Sequence, residues 1–405
     1  MKPSALPLLP LGLVITAAAL PVASAQAACV TLVTDTAPPV DTPVDYGDVG
    51  YGEQSATGSL PSIQSGLNRV KALATTGETA TDTTAAVGSA SNLTDPACLA
   101  ESFGAPLAAQ GLVGTRRMLD QTLAQLAQRR AAPHAATGTT LYGFSSDQSR
   151  REGGLPDTGN QALRVSRSDI TLGADYRFNN QWVAGSAIGF GAPRLRWAGN
   201  STRIDGKSVH LTSYGSYSPT PESYVAVALG VESNRYLLLD SSVTGAAASS
   251  KGVNWGLSVS AGHDFGFGNW GLSPYVRLDD VHTRVGAFSG AGGINKGHSN
   301  AVSAGTQLQT QVPTSWGVFA PHARVELTRV TNWRLSGQSA LTYAAGAGVL
   351  PINNPAQIDR QFGVVGIGAS AVLQRGVTLF TDYDTGFAQK DVSSWRFTLG
   401  VRTEL

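Results

Sequence analysis

The last twelve residues of the chain, Ser394 to Leu405, constrain its fold more than any other stretch. From Trp395 onward, large apolar residues recur at every second position, and arginine, threonine, glycine and glutamate occupy most of the others. This alternation predicts a β-strand with one apolar and one polar face. A soluble sandwich could use such a strand. A membrane barrel fits it better, because lipid lies outside a barrel and water inside.

The N-terminus has the pattern of an export signal. A basic start precedes an apolar run from Leu6 to Leu20 and then a stretch of small residues. We expect residues 1–27 to be a signal peptide cleaved after residue 25 or 27, and the short apolar run disfavours a membrane anchor. Cys29 raises the alternative of a lipoprotein. Gln26 argues against it, because the lipidation motif needs an aliphatic residue there.

Composition supports an exported β protein. Glycine accounts for 47 of 405 residues, only 14% are charged, and the net charge is +1. No segment after the signal is apolar for long enough to be a membrane helix. A membrane protein of this composition must be a closed barrel, because only closure satisfies every backbone group in lipid. We expect no nucleic-acid partner.

Residues 28–114 differ from the rest of the chain. They contain nine acidic residues against Arg69 and Lys71, and they are rich in Ala, Thr, Ser, Gly and Pro. Such a segment can bury little apolar surface, so we expect it to be poorly structured. Cys29 and Cys98 are the only cysteines. In an oxidising compartment they could form a structural disulfide, the alternative being two free thiols.

Several classes of site are excluded from this segment. The first histidine after the signal is His134, so residues 28–133 can hold neither a Ser-His-Asp triad nor a Cys/His metal cluster. They also lack a glycine-rich phosphate loop. We therefore expect no enzyme activity, cofactor or metal. The remaining histidines are scattered without metal-ligand spacing: His210, His263, His282, His298 and His322.

One predicted helix precedes the strands, within a linker region at 115–135. Its apolar residues recur on one face between Thr115 and Arg130, and Pro133 ends it. A soluble amphipathic helix is one interpretation. A length of roughly 24 Å and the position before the first strand favour a plug through a barrel pore. The predicted pore-helix residues are Arg116, Arg117, Leu119, Leu123, Leu126, Arg129 and Arg130.

Twelve alternating segments fill residues 138–405 and predict an all-β, twelve-stranded antiparallel transmembrane barrel. Their connections are alternately short and long, as expected for short periplasmic turns and long external loops. An even number of strands leaves the C-terminus on the periplasmic side. The segments lie at about 139–146, 168–178, 181–190, 207–217, 222–236, 252–266, 270–286, 300–312, 315–330, 360–373, 376–386 and 392–405.

Charged residues on the inward parity of these strands predict a wet pore wall. We expect them to pair with one another or with the arginines of the helix. Paired carboxylates could do acid–base work, but nothing in the sequence places them opposite a substrate. The predicted pore-lining residues are Asp175, Arg177, Arg277, Asp279, Arg324, Glu326, Arg396 and Arg402.

The same region resembles the C-terminal translocator domain of autotransporters, the type V secretion proteins of Gram-negative bacteria. Each motif is weak alone, but their order and spacing behind a signal peptide and a helix carry the resemblance. The motifs are 169–178 with 182–185, 262–265 with 268–270 and 274–275, 366–370 with 383–384, and 400–402.

The resemblance implies that the helix leads through the pore to an N-terminal passenger, here the short segment 28–114. It also implies insertion by the barrel-assembly machinery, which reads the last strand at positions matching Thr398, Gly400 and Leu405. Thr403 departs from the apolar residue common in the family, which predicts weaker recognition. The helix lacks the paired asparagines at which some members are cleaved, so we expect one intact chain.

The expected function is therefore anchoring in the outer membrane, with translocation or surface display of the passenger. An adhesive role through a host or cell-surface ligand is compatible with it. The alternative is a porin-like channel whose N-terminal segment is periplasmic or plugs the pore. Expected partners are outer-membrane lipid and lipopolysaccharide, the barrel-assembly machinery and periplasmic chaperones, and the protein is expected to be a monomer.

Overall fold

A computed structural model of the chain describes residues 103–131, 137–152, 162–197, 203–239, 248–286, 288, 294–336, 360–373, 376–390 and 392–405. These residues form one helix, α1 (Gly104–Ala131), and fourteen strand segments. The segments are β1 Gly138–Glu152, β2 Leu163–Arg177, β3 Trp182–Trp197, β4 Arg203–Tyr217, β5 Ser223–Leu239, β6 Ala248–His263, β7 Phe265–Phe267, β8 Trp270–Val285, β9 Asn295–Thr310, β10 Val312–Thr314, β11 Gly317–Ser336, β12 Gln361–Leu373, β13 Val377–Phe387 and β14 Val392–Glu404.

The strands close into an antiparallel barrel. Each long strand pairs with the next along the chain, and β14 pairs with β1, for example Phe397 opposite Asp147. The three-residue segments β7 and β10 continue β6 and β9 after single-residue breaks at Asp264 and Gln311. The described chain therefore has twelve barrel strands, which confirms the predicted twelve-stranded antiparallel barrel.

The two faces of the wall follow the alternation of the sequence. On β2, Ile170 and Leu172 face outward and are 59% and 57% exposed, whereas Thr171 and Asp175 face inward and are 5% and 4% exposed. An apolar outer face with a polar interior is the arrangement that a bilayer requires of a barrel. The signal peptide, Cys29 and Cys98 lie outside the described residues.

Many of the strands extend beyond their predicted ends on the side of the long connections. In these extensions the polarity of the two faces is reversed. Apolar residues, Leu163, Leu195 and Ile204, are buried inside, while Arg164 and Arg196 are exposed outside. A wall that leaves the bilayer no longer needs an apolar outer face. The outward apolar signal therefore ends before the strand does.

The helix begins at Gly104, eleven residues before the predicted start at Thr115. The sequence does not predict a helix before Thr115, because this part contains two further glycines and Pro106, although proline is tolerated in the first turn of a helix. Packing inside the barrel compensates, because Phe103 and Leu107 join a buried apolar cluster of the wall. Within the described residues, no helix is both long and apolar enough to span a bilayer.

Candidate functional site in the barrel lumen

The helix runs through the barrel with its N-terminal end at the long connections. Gln110 donates a hydrogen bond to Glu152, the last residue of β1, at 3.1 Å. Phe103 and Leu107 pack in one cluster with Val285, the last residue of β8, and with Phe288 in the long connection between β8 and β9. The first turns of α1 therefore lie at the mouth formed by the long connections.

The C-terminal end of α1 lies at the opposite rim, near the short turns. Arg129 forms ion pairs with Asp175 at 3.1 Å and with Glu404 at 2.7 Å. Arg177 donates a hydrogen bond to the backbone carbonyl of Arg129 at 2.8 Å. Cations at this position are favourable because the carbonyl end of a helix carries a partial negative charge. The two rims thus fix the direction of the helix in the lumen.

A single carboxylate near the middle of the helix accepts hydrogen bonds from three arginines of the wall. Asp120 accepts from Arg277 at 2.6 Å, from Arg324 at 3.1 Å through each of its two oxygens, and from Arg396 at 2.8 Å. Its side chain is only 13% exposed. Charge-assisted bonds in such a site are stronger than exposed ones. Asp120 therefore joins the helix to β8, β11 and β14.

The wall supplies the remaining charges of this layer. Arg277 also pairs with Asp279 at 3.2 Å and Glu326 at 2.9 Å, and Asp384 binds both of the other arginines at 2.9 Å and 2.6 Å. Arg116 of the helix lies 3.7 Å from Asp279. Four carboxylates thus face four guanidinium groups in one layer. Such balance matters because an unpaired buried charge costs several kcal/mol.

The neighbouring face of the helix is apolar and meets small residues of the wall. Leu119 is fully buried, and a Cβ added at Gly256 would lie 2.9 Å from one of its methyl groups and 2.8 Å from Val281. Leu112, Leu123 and Leu126 continue the same buried cluster. The glycine allows the helix to approach strand β6 closely. Apolar packing on one face and ion pairs on the adjacent face together hold α1 in place.

Little space remains in the lumen beside the helix. A cavity of about 90 Å³ lies between the helix and strands that include β9, β11 and β13, and it is lined by Gln128, Tyr224, Gln307 and Asp382 among others. Two further cavities, of about 90 and 40 Å³, lie beside the first half of the helix. Volumes of this size hold only small clusters of water molecules. The helix therefore blocks most of the cross-section of the barrel.

The four predicted pore-helix arginines have two kinds of partner. Arg116 and Arg129 pair with carboxylates, as described above. In contrast, Arg117 donates to the amide oxygen of Gln148 at 2.9 Å, and the Arg130 guanidinium lies 3.3 Å from the centre of the Tyr224 ring. A cation above an aromatic face is attracted by the ring quadrupole. Carboxylates therefore hold two of the four helix arginines, and an amide and an aromatic ring hold the other two.

The remaining predicted residues also lie along the wall. Arg402 faces the lumen and donates to the backbone and side-chain oxygens of Gln125 at 3.0 and 3.1 Å. Thr398 is buried on the inner face, and Gly400 lies against the Phe380 ring. Leu405 points outward and is 76% exposed. The residues of the predicted assembly signal therefore do not form one contiguous surface.

Two features of the site were missed from the sequence. Asp120 is the only acidic residue between Thr115 and Arg130, and this isolation among arginines was the signal that could have identified it. Histidines distant in the chain also meet on the outer wall. His282 and His298 stack at 4.2 Å, and both approach Asp280, at 3.3 and 2.7 Å. Asp280, His282 and His298 each offer one potential metal-ligand atom, and these atoms lie within 4.8 Å of one another.

Comparison with known proteins identifies the fold. The family model described as autotransporter beta-domain matches residues 143–384, which is more than half of the chain. This chain belongs to the autotransporter family. Members are outer-membrane proteins of Gram-negative bacteria, so the autotransporter barrel described here lies in that membrane.

Solved structures agree with this assignment. The translocator domain of autotransporter NalP from Neisseria meningitidis is 16% identical, with 76% of this chain and 100% of that chain covered and a TM-score of 0.57. The transport unit of the autotransporter AIDA-I from Escherichia coli is 10% identical, with 68% and 92% covered and a TM-score of 0.50. At these identities the likeness shows the fold alone. A search of curated proteins found no match.

Proposed function

We propose that this autotransporter anchors in the outer membrane and carries its acidic N-terminal segment to the cell surface. The observation that supports this most directly is the direction of α1. Its first residue, Gly104, lies at the mouth formed by the long connections, and long connections are external in outer-membrane barrels. The chain that precedes the helix then begins outside the cell.

The alternative is a porin-like channel with a periplasmic or plugging N-terminal segment. It fits less well for two reasons. The N-terminal end of the helix is at the external rim, and the cavities beside the helix in the described part of the barrel are small, at about 90, 90 and 40 Å³. Display needs no chemical step, so we propose no enzymatic activity for this chain.

Protease shaving of intact cells tests the proposal. An epitope tag is inserted near Ser55, and a periplasmic protein serves as the control for a sealed outer membrane. We expect loss of the tag and survival of a fragment that begins close to Gly104 and includes the barrel. Protection of the tag in intact cells, with digestion only after the outer membrane is opened, contradicts display and favours the channel.

We further propose that the last strand directs assembly, with Thr398, Gly400 and Leu405 read by the barrel-assembly machinery after delivery by periplasmic chaperones. The outward, exposed position of Leu405 makes it accessible to such a partner. Deletion of Leu405 is expected to lower the amount of heat-modifiable barrel in outer membranes. Replacement of Leu405 by Phe, the residue common in the family, is the matched control and is expected to preserve that amount.

Two proposals concern the displayed segment. A disulfide between Cys29 and Cys98 would constrain it in the oxidising periplasm. A difference in gel mobility between reduced and non-reduced samples, lost in Cys98→Ser, tests the bond, and identical mobility contradicts it.

We also propose that the segment binds a host or cell-surface ligand. Cell adhesion lost on deletion of residues 28–90 tests that role, and unchanged adhesion contradicts it.

A further inference from the structure

Three cations form a row on the outer surface of the barrel. Lys207 on β4 lies directly opposite Arg235 on β5, and Arg235 lies directly opposite Lys251 on β6. All three side chains point outward and are exposed. Within the part of the chain that the structure describes, none of them forms an ion pair. We refer to Lys207, Arg235 and Lys251 as the cationic row.

Such a row is unfavourable for the barrel alone. Side chains directly opposite on neighbouring strands lie about 5 Å apart, and like charges at this distance repel one another. In a nearby group, a carboxylate neutralises two neighbouring cations, because Asp205 pairs with both Arg194 and Arg203 at 3.0 Å. The cationic row has no such carboxylate among the described residues. Its charge is therefore not neutralised by the described residues, and an anion bound from outside would neutralise it.

The position of the row along the barrel indicates which anion. Each cation lies ten residues from the outward-facing Tyr217, Val225 or Ala261 near the short turns of the same strand. Ten residues span about 33 Å along a strand, or about 25 Å along the barrel axis at a tilt of about 40°. This equals the height of the apolar band of a membrane barrel, about 25 Å. The row thus lies where acyl chains end and headgroups begin.

The side chains around the row fit this boundary. Immediately toward the short turns, Val209, Val231 and Val253 are outward and each 46% exposed, as in a lipid-facing surface. On β8 and β9, the exposed cations Arg284 and Lys296 are also directly opposed. The positive charge therefore continues around the wall at the edge of the apolar band.

We propose that the cationic row binds the phosphate groups of lipid A, the phosphorylated glycolipid of the outer leaflet. A phosphate monoester carries a charge of about −1.5 to −2 and three strong acceptor oxygens, so it can neutralise several ammonium and guanidinium groups at once. The inference rests on the proposed orientation, with the long connections outside. It goes further by assigning a lipid site to three residues.

The test measures lipid A binding to the purified full-length protein in detergent. The variant Lys207→Gln, Arg235→Gln, Lys251→Gln is compared with wild type, using diphosphorylated lipid A and its dephosphorylated form as probes. The control, Arg69→Gln, Lys71→Gln, Arg375→Gln, removes the same charge elsewhere. Heat-modifiability on gels shows which proteins are folded. If the triple variant fails to fold, Arg235→Gln alone is used.

We expect the triple variant to bind diphosphorylated lipid A at least tenfold more weakly than wild type, and the control to stay within twofold. Both proteins should bind dephosphorylated lipid A equally. Equal affinity of the triple variant and wild type for diphosphorylated lipid A overturns the proposal. So does a large gain in wild-type affinity on deletion of residues 28–90, because the acidic segment would then be the occupant. Binding to purified protein does not depend on display, so the two proposals fail separately.

Discussion

Neutralising Asp120 should loosen the helix in the lumen. Asp120→Asn keeps the shape of the side chain but leaves the charged layer with four arginines and three carboxylates. Removing one partner of a buried ion pair costs about 3–5 kcal/mol. The lower end applies here, because Arg277 keeps Asp279 and Glu326, and the other two arginines keep Asp384. About 3 kcal/mol corresponds to roughly a 100-fold shift toward the displaced helix.

Electrical recording in planar bilayers measures this shift. The full-length mature protein and the variant are compared for the fraction of time that the barrel conducts, since a displaced helix opens the lumen. Asp147→Asn is the matched control, because Asp147 is a carboxylate on the exposed outer face of β1. We expect the open fraction to rise by about two orders of magnitude for Asp120→Asn only. A change below threefold, or an equal change in the control, refutes the role assigned to Asp120.

Three further substitutions test the packing of the lumen. Gly256→Val should force Leu119 away from β6 and destabilise the packed helix by about 1–3 kcal/mol. We expect faster proteolysis of the helix in the purified barrel, and an unchanged rate would contradict this prediction. Tyr214→Phe removes the 2.8 Å hydrogen bond to Tyr142 and should lower the unfolding free energy by about 1 kcal/mol in urea titration. Gly400→Val would place side-chain atoms inside a neighbouring phenylalanine ring, so the yield of folded barrel in outer membranes should fall, whereas Thr403→Val, which supplies the apolar residue that the assembly signal favours, should not lower it.

The membrane-facing part of the fold could be predicted from the sequence, and the lumen only in part. Lipid requires outward residues such as Ile170 and Leu172 to be apolar, so alternation identifies the strands within the bilayer. Above it, where Arg164 and Arg196 face outward, this requirement ends and so does the signal. The start of α1 depends on packing inside the closed barrel, which a local pattern does not contain.

The partners of the charged residues also could not be predicted from the sequence. Inward parity identified Arg277 and Arg396 as lumen residues, and both lie there. Their common partner, Asp120, is determined by the rotation and depth of the helix within the barrel. Those two quantities depend on contacts such as Leu119 against Gly256. Strand periodicity carries no information about them.

The central claim is that the chain before the helix is outside the cell and the chain after it is in the periplasm. In a variant lacking Cys29 and Cys98, single cysteines are introduced as Ser91→Cys and Thr137→Cys. Intact cells are treated with a membrane-impermeant maleimide. We predict labelling at position 91 and none at position 137 until the outer membrane is opened. Labelling of position 137 alone in intact cells would contradict the account.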